Sequence, residues 1–135
     1  MDGTVTAPPS SLLEALAVLH RVADGQVAAV LAPEGFTVDQ WRVLRALAEE
    51  SGQGMGALAS SLRIPAPTLT RIVDGLVDRS LVYRRQAAED RRRLTVHLAR
   101  AGQVRLATLD ALVEAQETAL RAAPEWAALV ELVRG

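Results

Sequence analysis

Cysteine and lysine are both missing from this 135-residue chain, and aromatic residues make up only 3% of it. Without cysteine there is no disulfide, no thiolate metal site and no thiol redox sensor. With two Trp, one Tyr and one Phe against a 50% hydrophobic content, the core must be built from Leu, Val and Ala. Long apolar runs are also missing. The longest strictly apolar stretch is Val27 to Ala32, far short of the roughly 20 residues that cross a bilayer, so no membrane partner is expected. The first eleven residues hold one acid and no base, and no apolar segment of the signal type follows. A cytoplasmic location is therefore expected.

The chemistry of catalysis is equally thin. There are two histidines. His20 and Asp24 stand four apart, on one face of a helix, but two ligands are too few to hold a metal. His97 sits between Val96 and Leu98 and is expected to point outward from a strand. No nucleophile elbow or phosphate-binding loop occurs. No catalytic residue, cofactor or metal is assigned, and an enzyme is not expected.

What is present is a local charge imbalance. All fifteen basic residues are arginine, and the net charge is −1. Uniform arginine use reflects composition first, although arginine is the better fork for phosphates and base edges. Residues 63–93 carry eight arginines and four acids, a net of +4. The rest carries seven arginines and twelve acids, a net of −5. A basic module on an acidic frame points to one surface that meets a polyanion.

The periodicity predicts a mainly α fold with a small β-hairpin. Residues 1–9 are expected to be disordered. Ser11 with Glu14 forms a capping-box pattern, and Leu12, Leu16, Leu19, Val27 and Val30 recur at helical spacing up to Pro33. Thr37 with Gln40 opens a second helix that ends near Gly52. Gly54 and Gly56 read as a flexible joint before a short helix over 57–62. Pro67 starts a further helix to about Arg79, at a position where its missing N–H costs nothing. Leu81 and Tyr83, then Leu94, Val96 and Leu98, alternate with polar residues as half-buried strands do. A long helix near Gly102 carries Val104, Leu106, Leu109, Leu112, Val113, Gln116 and Leu120. It is broken at Ala123–Pro124, and a last short helix carries Trp126, Leu129, Val130, Leu132 and Val133.

The helix over 67–79 buries Leu69, Ile72, Val73, Leu76 and Val77 on one face, at about 100° per residue. The opposite face holds Pro67, Arg71, Asp74 and Asp78, flanked by Thr68 and Thr70. Two hydroxyls and an arginine near the N-terminal half suit phosphates and base edges. Asp74 and Asp78 are expected as partners of Arg71 or of a hairpin arginine, in preference to cytosine contacts. The hairpin that follows concentrates Arg84, Arg85, Arg91, Arg92 and Arg93, with Asp90 shaping its tip. A helix in the major groove and a basic hairpin on the neighbouring backbone form one way in which a small domain grips duplex DNA.

In order and spacing these residues resemble the MarR family of bacterial transcription regulators. The resemblance rests on Phe36-Thr37-x-x-Gln40, Val43-Leu44, Leu58-Ala59, Thr68-Leu69-Thr70-Arg71, Leu76, Leu81-Val82-x-Arg84, Asp90-x-Arg92, Val96-x-Leu98 and Gly102. Ser80 departs from the family's usual glycine and so has to adopt a left-handed conformation. Ala99 replaces the usual threonine and Ala66 a frequent capping serine.

The resemblance implies a winged helix-turn-helix over 36–102 and a helical dimerisation region from 10–35 and 103–135. It also implies a homodimer that acts as a repressor on a pseudo-palindromic operator and is released, in many members, by a small-molecule effector. His20, Trp41 and Arg45 are the candidate lining of an effector pocket. The apolar stripes of the terminal helices, too wide for a 135-residue monomer to bury, agree with a dimer. The competing readings are a winged helix that binds protein instead of DNA, which the arginine hairpin argues against, and a dimerisation domain of an enzyme, for which no catalytic segment follows within the sequence.

Overall fold

The computed structural model describes residues 11–122 and 124–135; the disorder expected for 1–9 lies outside them. Ser11 accepts the Glu14 N–H and starts α1, Leu12–Leu31. A single 3-10 turn over Ala32–Glu34 and a left-handed Gly35 (φ 79°) end it. Thr37 and Gln40 complete both halves of a capping box at the start of α2, Val38–Glu49. A two-residue strand β1, Gln53–Gly54, leads into α3, Met55–Leu62, and then α4, Ala66–Asp78. The hairpin strands β2, Val82–Gln86, and β3, Leu94–Leu98, precede α5, Arg100–Arg121, and α6, Pro124–Arg134.

The sheet is antiparallel, in the order β1-β3-β2. The first strand was not foreseen. Two residues carry no period, and Gly54 and Gly56 read as a joint. Instead Gly54 pairs with Thr95, and Gly56 lies inside α3. The face of β2 also differs from expectation. Val82, not Tyr83, turns inward: Val82 faces Leu98 and Arg84 faces Val96 across the hairpin. Tyr83 is 41% exposed and Leu94 44% exposed. Leu81 is buried, but from the turn ahead of the strand, so it cannot share a face with Tyr83 through strand alternation.

Two helices stop on left-handed residues that are not glycine, Arg63 (φ 54°) and Ser80 (φ 61°). At Ser80 the N–H groups of Ser80 and Leu81 return to the carbonyls of Val77 and Leu76. At Arg63 those of Arg63 and Ile64 return to Ser60 and Ala59. Both closures are Schellman turns, whose paired bonds satisfy carbonyls that the helix leaves open. They set the sharp angles between α3, α4 and the hairpin.

One core joins Val43, Leu44 and Leu47 of α2, Leu58 of α3, Leu69, Val73 and Leu76 of α4, Val96 of β3 and Leu109 of α5. Gly102 is what lets α5 come so close. A Cβ there would stand 2.1 Å from the Leu81 carbonyl oxygen and 2.7 Å from Leu98 Cδ1. Gly102→Ala is therefore expected to cost about 1–3 kcal/mol of stability by overpacking. A denaturant titration with an unchanged midpoint would show that this approach is not tight.

By length and composition, Leu12–Glu34 reaches the mean hydropathy of a membrane span, 1.3, with only 11% of the window buried. Counting strictly apolar runs missed this because isolated charges interrupt the segment. Those charges lie on one side: Glu14, Arg21 and Asp24 fall within a single stripe, and Leu12, Leu16, Leu19, Ala23 and Val27 fall opposite, at about 100° per residue. Val27, at the C-terminal end of the apolar stripe, is buried in the core. Leu12, Leu16 and Leu19 continue the same stripe and are 62%, 41% and 39% exposed. Leu132 and Val133 of α6 are 60% and 79% exposed.

Candidate nucleic-acid interface

Helix α4 rests on Leu69, Val73 and Leu76, all fully buried, with Ile72 and Val77 packed at the margin. Burying that stripe leaves Pro67, Thr70, Arg71, Asp74 and Asp78 exposed, and Thr68 half-buried. The Thr70 hydroxyl donates to the Ala66 carbonyl at 3.0 Å. Its oxygen is thereby aimed and remains free to accept a hydrogen bond. Pro67 stands in the first turn of α4, and the N-cap position, Pro65, makes no side-chain bond.

Asp74 pairs with Arg84 of β2. This is the hairpin-arginine partner expected for one of the two helix acids. The pair joins the open face of α4 to the root of the hairpin, and it holds Arg84 against the helix while the other arginines extend beyond it. At the tip, the Asp90 carboxylate accepts the Arg92 N–H at 3.0 Å and its carbonyl accepts the Arg93 N–H at 3.0 Å. Ala87 N–H closes the loop onto the Arg93 carbonyl at 2.8 Å. An aspartate bonded to the backbone two residues ahead is a turn-forming device, and it presents Arg91 and Arg92 outward.

The remaining arginines of 63–93 divide by surroundings. Arg85 lies over the Tyr83 ring at 5.8 Å, and Tyr83 stacks on His97 with centroids 5.2 Å apart and planes 11° from parallel. His97 also meets the Thr95 hydroxyl at 2.8 Å and packs where a Gly52 Cβ would be, 3.0 Å from its Cε1. His97 is thus on the outer face, as expected, but it is built into the hairpin and not free. Arg93 runs alongside Gly54, where an added Cβ would stand 3.4 Å from its Nε, turned back toward the start of α3. Arg79 lies over the Phe36 ring at 3.9 Å. Arg84 alone of these eight forms an ion pair among the described residues. Uncompensated guanidinium charge therefore collects at Arg71, Arg85, Arg91 and Arg92.

His20 and Trp41 line one cleft of about 480 Å³ between α1, α2 and the end of α3, together with Asp24, Val27, Arg42 and Arg63. Its size is that of a small-molecule site. Arg45 does not line this cleft. It lies over the far side of the Trp41 ring at 4.9 Å and reaches Asp110 at 3.6 Å. The Trp41 indole N–H donates to the same Asp110 carboxylate at 2.8 Å. Asp110 was missed because it lies on α5, 69 positions from Trp41, and nothing local marks it. Arg63 was missed for the same reason: only the turn after α3 brings it to the cleft, beside Arg42, the neighbour of Trp41 on α2. Among the described residues no group of three or more His, Asp or Glu side chains is placed to hold a metal.

The arrangement has relatives. Residues 36–94 match the model of the MarR family. Over that segment the chain is similar to MarR-family regulators. A protein of Thauera aromatica, provisionally assigned as a transcriptional regulatory protein for the hcr operon, is 27% identical over 100 residues; the match covers 69% of this chain and 60% of that protein's own length. The transcriptional repressor CouR, solved on a 23-mer DNA duplex, is 26% identical with a TM-score of 0.83, over 92% of this chain and 90% of its own. MarR of E. coli shares the fold, with a TM-score of 0.83 at 23% identity over 94% of this chain and 97% of its own.

The departures from the MarR-family pattern have visible consequences in this chain. Ser80 takes the left-handed conformation that its position requires. Ala99 offers α5 no side-chain cap, and its N–H is taken by the Leu81 carbonyl at 3.0 Å instead.

Proposed function

We propose that this chain is a DNA-binding transcriptional regulator, a repressor, that acts as a homodimer on a pseudo-palindromic operator. Residues 36–102 form the DNA-binding domain, and 10–35 with 103–135 form the dimerisation region. Arg71, Pro67, Thr68 and Thr70 meet the major groove. Arg85, Arg91 and Arg92 meet the adjacent backbone or minor groove, with Arg93 behind them along Gly54, Asp90 as the turn former and Arg84 held by Asp74. The observation that carries the reading is the Asp74–Arg84 pair: it sets the hairpin's arginines beside the exposed face of α4, so helix and hairpin present one positive surface. The duplex-bound CouR, similar in sequence and fold, supports the same use.

The cleft at His20 and Trp41 is proposed as the site of a small-molecule effector. It lies between α1 of the dimerisation region and α2 of the DNA-binding domain, where an occupant would bear on both. The protein acts in the cytoplasm and carries out no catalysis in this reading.

The test is a binding titration by fluorescence anisotropy. The duplexes are the DNA upstream of the protein's own coding region and a random sequence of equal length, each at several salt concentrations. The upstream duplex is expected to bind at least about 10³-fold more tightly at physiological salt, the lower end for specific complexes. Equal affinity for both duplexes would overturn the reading.

A further inference from the structure

Phe36 is the only phenylalanine in the chain and is 3% exposed. It follows the left-handed Gly35 in the link between α1 and α2. Two guanidinium groups from distant elements face its ring. Arg79, the C-cap of α4, lies 3.9 Å from the ring centroid, and Arg105, in α5, lies 5.4 Å from it. Each arginine also bonds the backbone of the same link. Arg79 Nη1 donates to the Gly35 carbonyl at 2.8 Å. Arg105 Nη2 donates to the Glu34 carbonyl at 3.2 Å and stands 3.4 Å from the Glu34 carboxylate. A single ring thus gathers the exit of α1, the end of α4 and the first part of α5.

The consequence is mechanical. Helices α1 and α5 belong to the proposed dimerisation region, and α4 is the proposed reading helix. A 13-residue helix is about 20 Å long, so a shift of about 1 Å at its C-terminal end tilts it by roughly 3°. In a dimer on duplex DNA the two reading helices must stand about 34 Å apart, and each added base pair moves a half-site by about 3.4 Å and rotates it about the axis. Tolerance to such a change depends on how stiffly α4 is held against the platform. Arg79 anchors that end of α4 by a cation–ring contact and a directed hydrogen bond together, which resist both sliding and rotation.

We infer that Arg79 is a positioning residue, and that the Arg79–Phe36–Arg105 cluster sets the half-site spacing the dimer accepts. The inference rests on the DNA-binding reading above.

The experiment begins with an operator recovered by the parent protein from a pool of random duplexes. Versions are then made with one or two base pairs inserted or removed between the half-sites, and others with one half-site scrambled. Affinities are measured for the parent, Arg79→Ala, Arg79→Lys, Phe36→Leu and Arg105→Gln at one salt concentration, with circular dichroism and sedimentation to establish folding and dimerisation. In Arg79→Ala the preference for native spacing over one inserted base pair is expected to fall about tenfold, while discrimination against the scrambled half-site is kept. Arg79→Lys, which retains a cation and a donor, is expected to restore most of the preference.

An unchanged spacing profile in a folded, dimeric Arg79→Ala would overturn the inference. Parallel loss of spacing preference and half-site discrimination would also overturn it, because Arg79 would then act on the binding surface as a whole. If Arg79→Ala does not fold, Phe36→Leu and Arg105→Gln decide by the same two criteria. If the parent recovers no duplex, the DNA-binding reading fails and this inference fails with it. A parent that binds with an insensitive Arg79→Ala sinks the inference alone.

Discussion

Replacing Leu16 and Leu19 together by glutamate is expected to convert the protein to a folded monomer and to lower operator affinity by about 10²–10⁴-fold, the size of a lost bivalent advantage. The reason lies along α1. Its apolar stripe is buried at Val27 and bare at Leu12, Leu16 and Leu19, so the same face that packs inside one chain continues outward with nothing described against it. Burying an apolar side chain contributes about 1.5–3 kcal/mol, and a symmetric pairing counts each residue twice. Two buried carboxylates in each chain reverse that gain. The core, built on Leu44, Leu58, Leu69 and Leu76, includes neither Leu16 nor Leu19, so helical content should survive. Sedimentation at micromolar concentration checks the assembly, and anisotropy on operator DNA checks the affinity. A double variant that remains dimeric would place the dimer interface on another surface, and a parent that is itself monomeric would remove the basis for it.

Arg71→Ala is expected to weaken operator binding by about 1–3 kcal/mol and to narrow the gap between operator and random DNA. Arg71 stands on the open face of α4, flanked by Thr68 and Thr70, and has no ion-pair partner among the described residues. From there a guanidinium reaches a base edge or the phosphates that fix register. Arg92→Ala is expected to be of similar size but different kind. It sits on the loop that Asp90 shapes, where backbone is nearer than base edges, so its loss should weaken binding on all sequences and reduce the salt slope by about one. Titrating both variants on both duplexes over a range of salt separates the two. If Arg71→Ala keeps the specificity ratio and Arg92→Ala collapses it, sequence is read by the hairpin. The Asp74–Arg84 pair sharpens the comparison: Arg84 is already engaged, so Arg84→Ala should act through the position of the hairpin more than through lost phosphate contact.

The helices were legible because their signals are local. Ser11 and Thr37 cap their own helices, and the buried face of α4 follows from Leu69, Val73 and Leu76 at helical spacing. The hairpin was legible as an arginine-flanked turn, and Ser80 as a left-handed residue because it stands where the family pattern has glycine. Three things were not legible. Strand β1 has two residues and exists only because β3 offers it an edge. The inward residue of β2 is Val82, because the turn after Ser80 consumes Leu81 before the ladder begins. The third is the partner of each charge. Arg45, Arg79, Arg84 and Arg93 look alike in sequence, yet one is tied to Asp110, one to Phe36, one to Asp74, and one lies along Gly54.

Sequence by itself therefore determined which segments are helical, which face of each is apolar, where the basic charge concentrates and which family pattern the residues follow. These depend on neighbours a few positions away, whose spacing the helix and strand periods convert directly into faces. Only the tertiary structure decided which arginines remain free to meet a polyanion and which are engaged within the chain, and that His20 and Trp41 share a cleft from which Arg45 is turned away. Those outcomes hang on contacts between residues tens of positions apart, as Trp41 and Asp110 are, and a guanidinium goes to whichever carboxylate, ring or carbonyl the packing of the helices brings within reach.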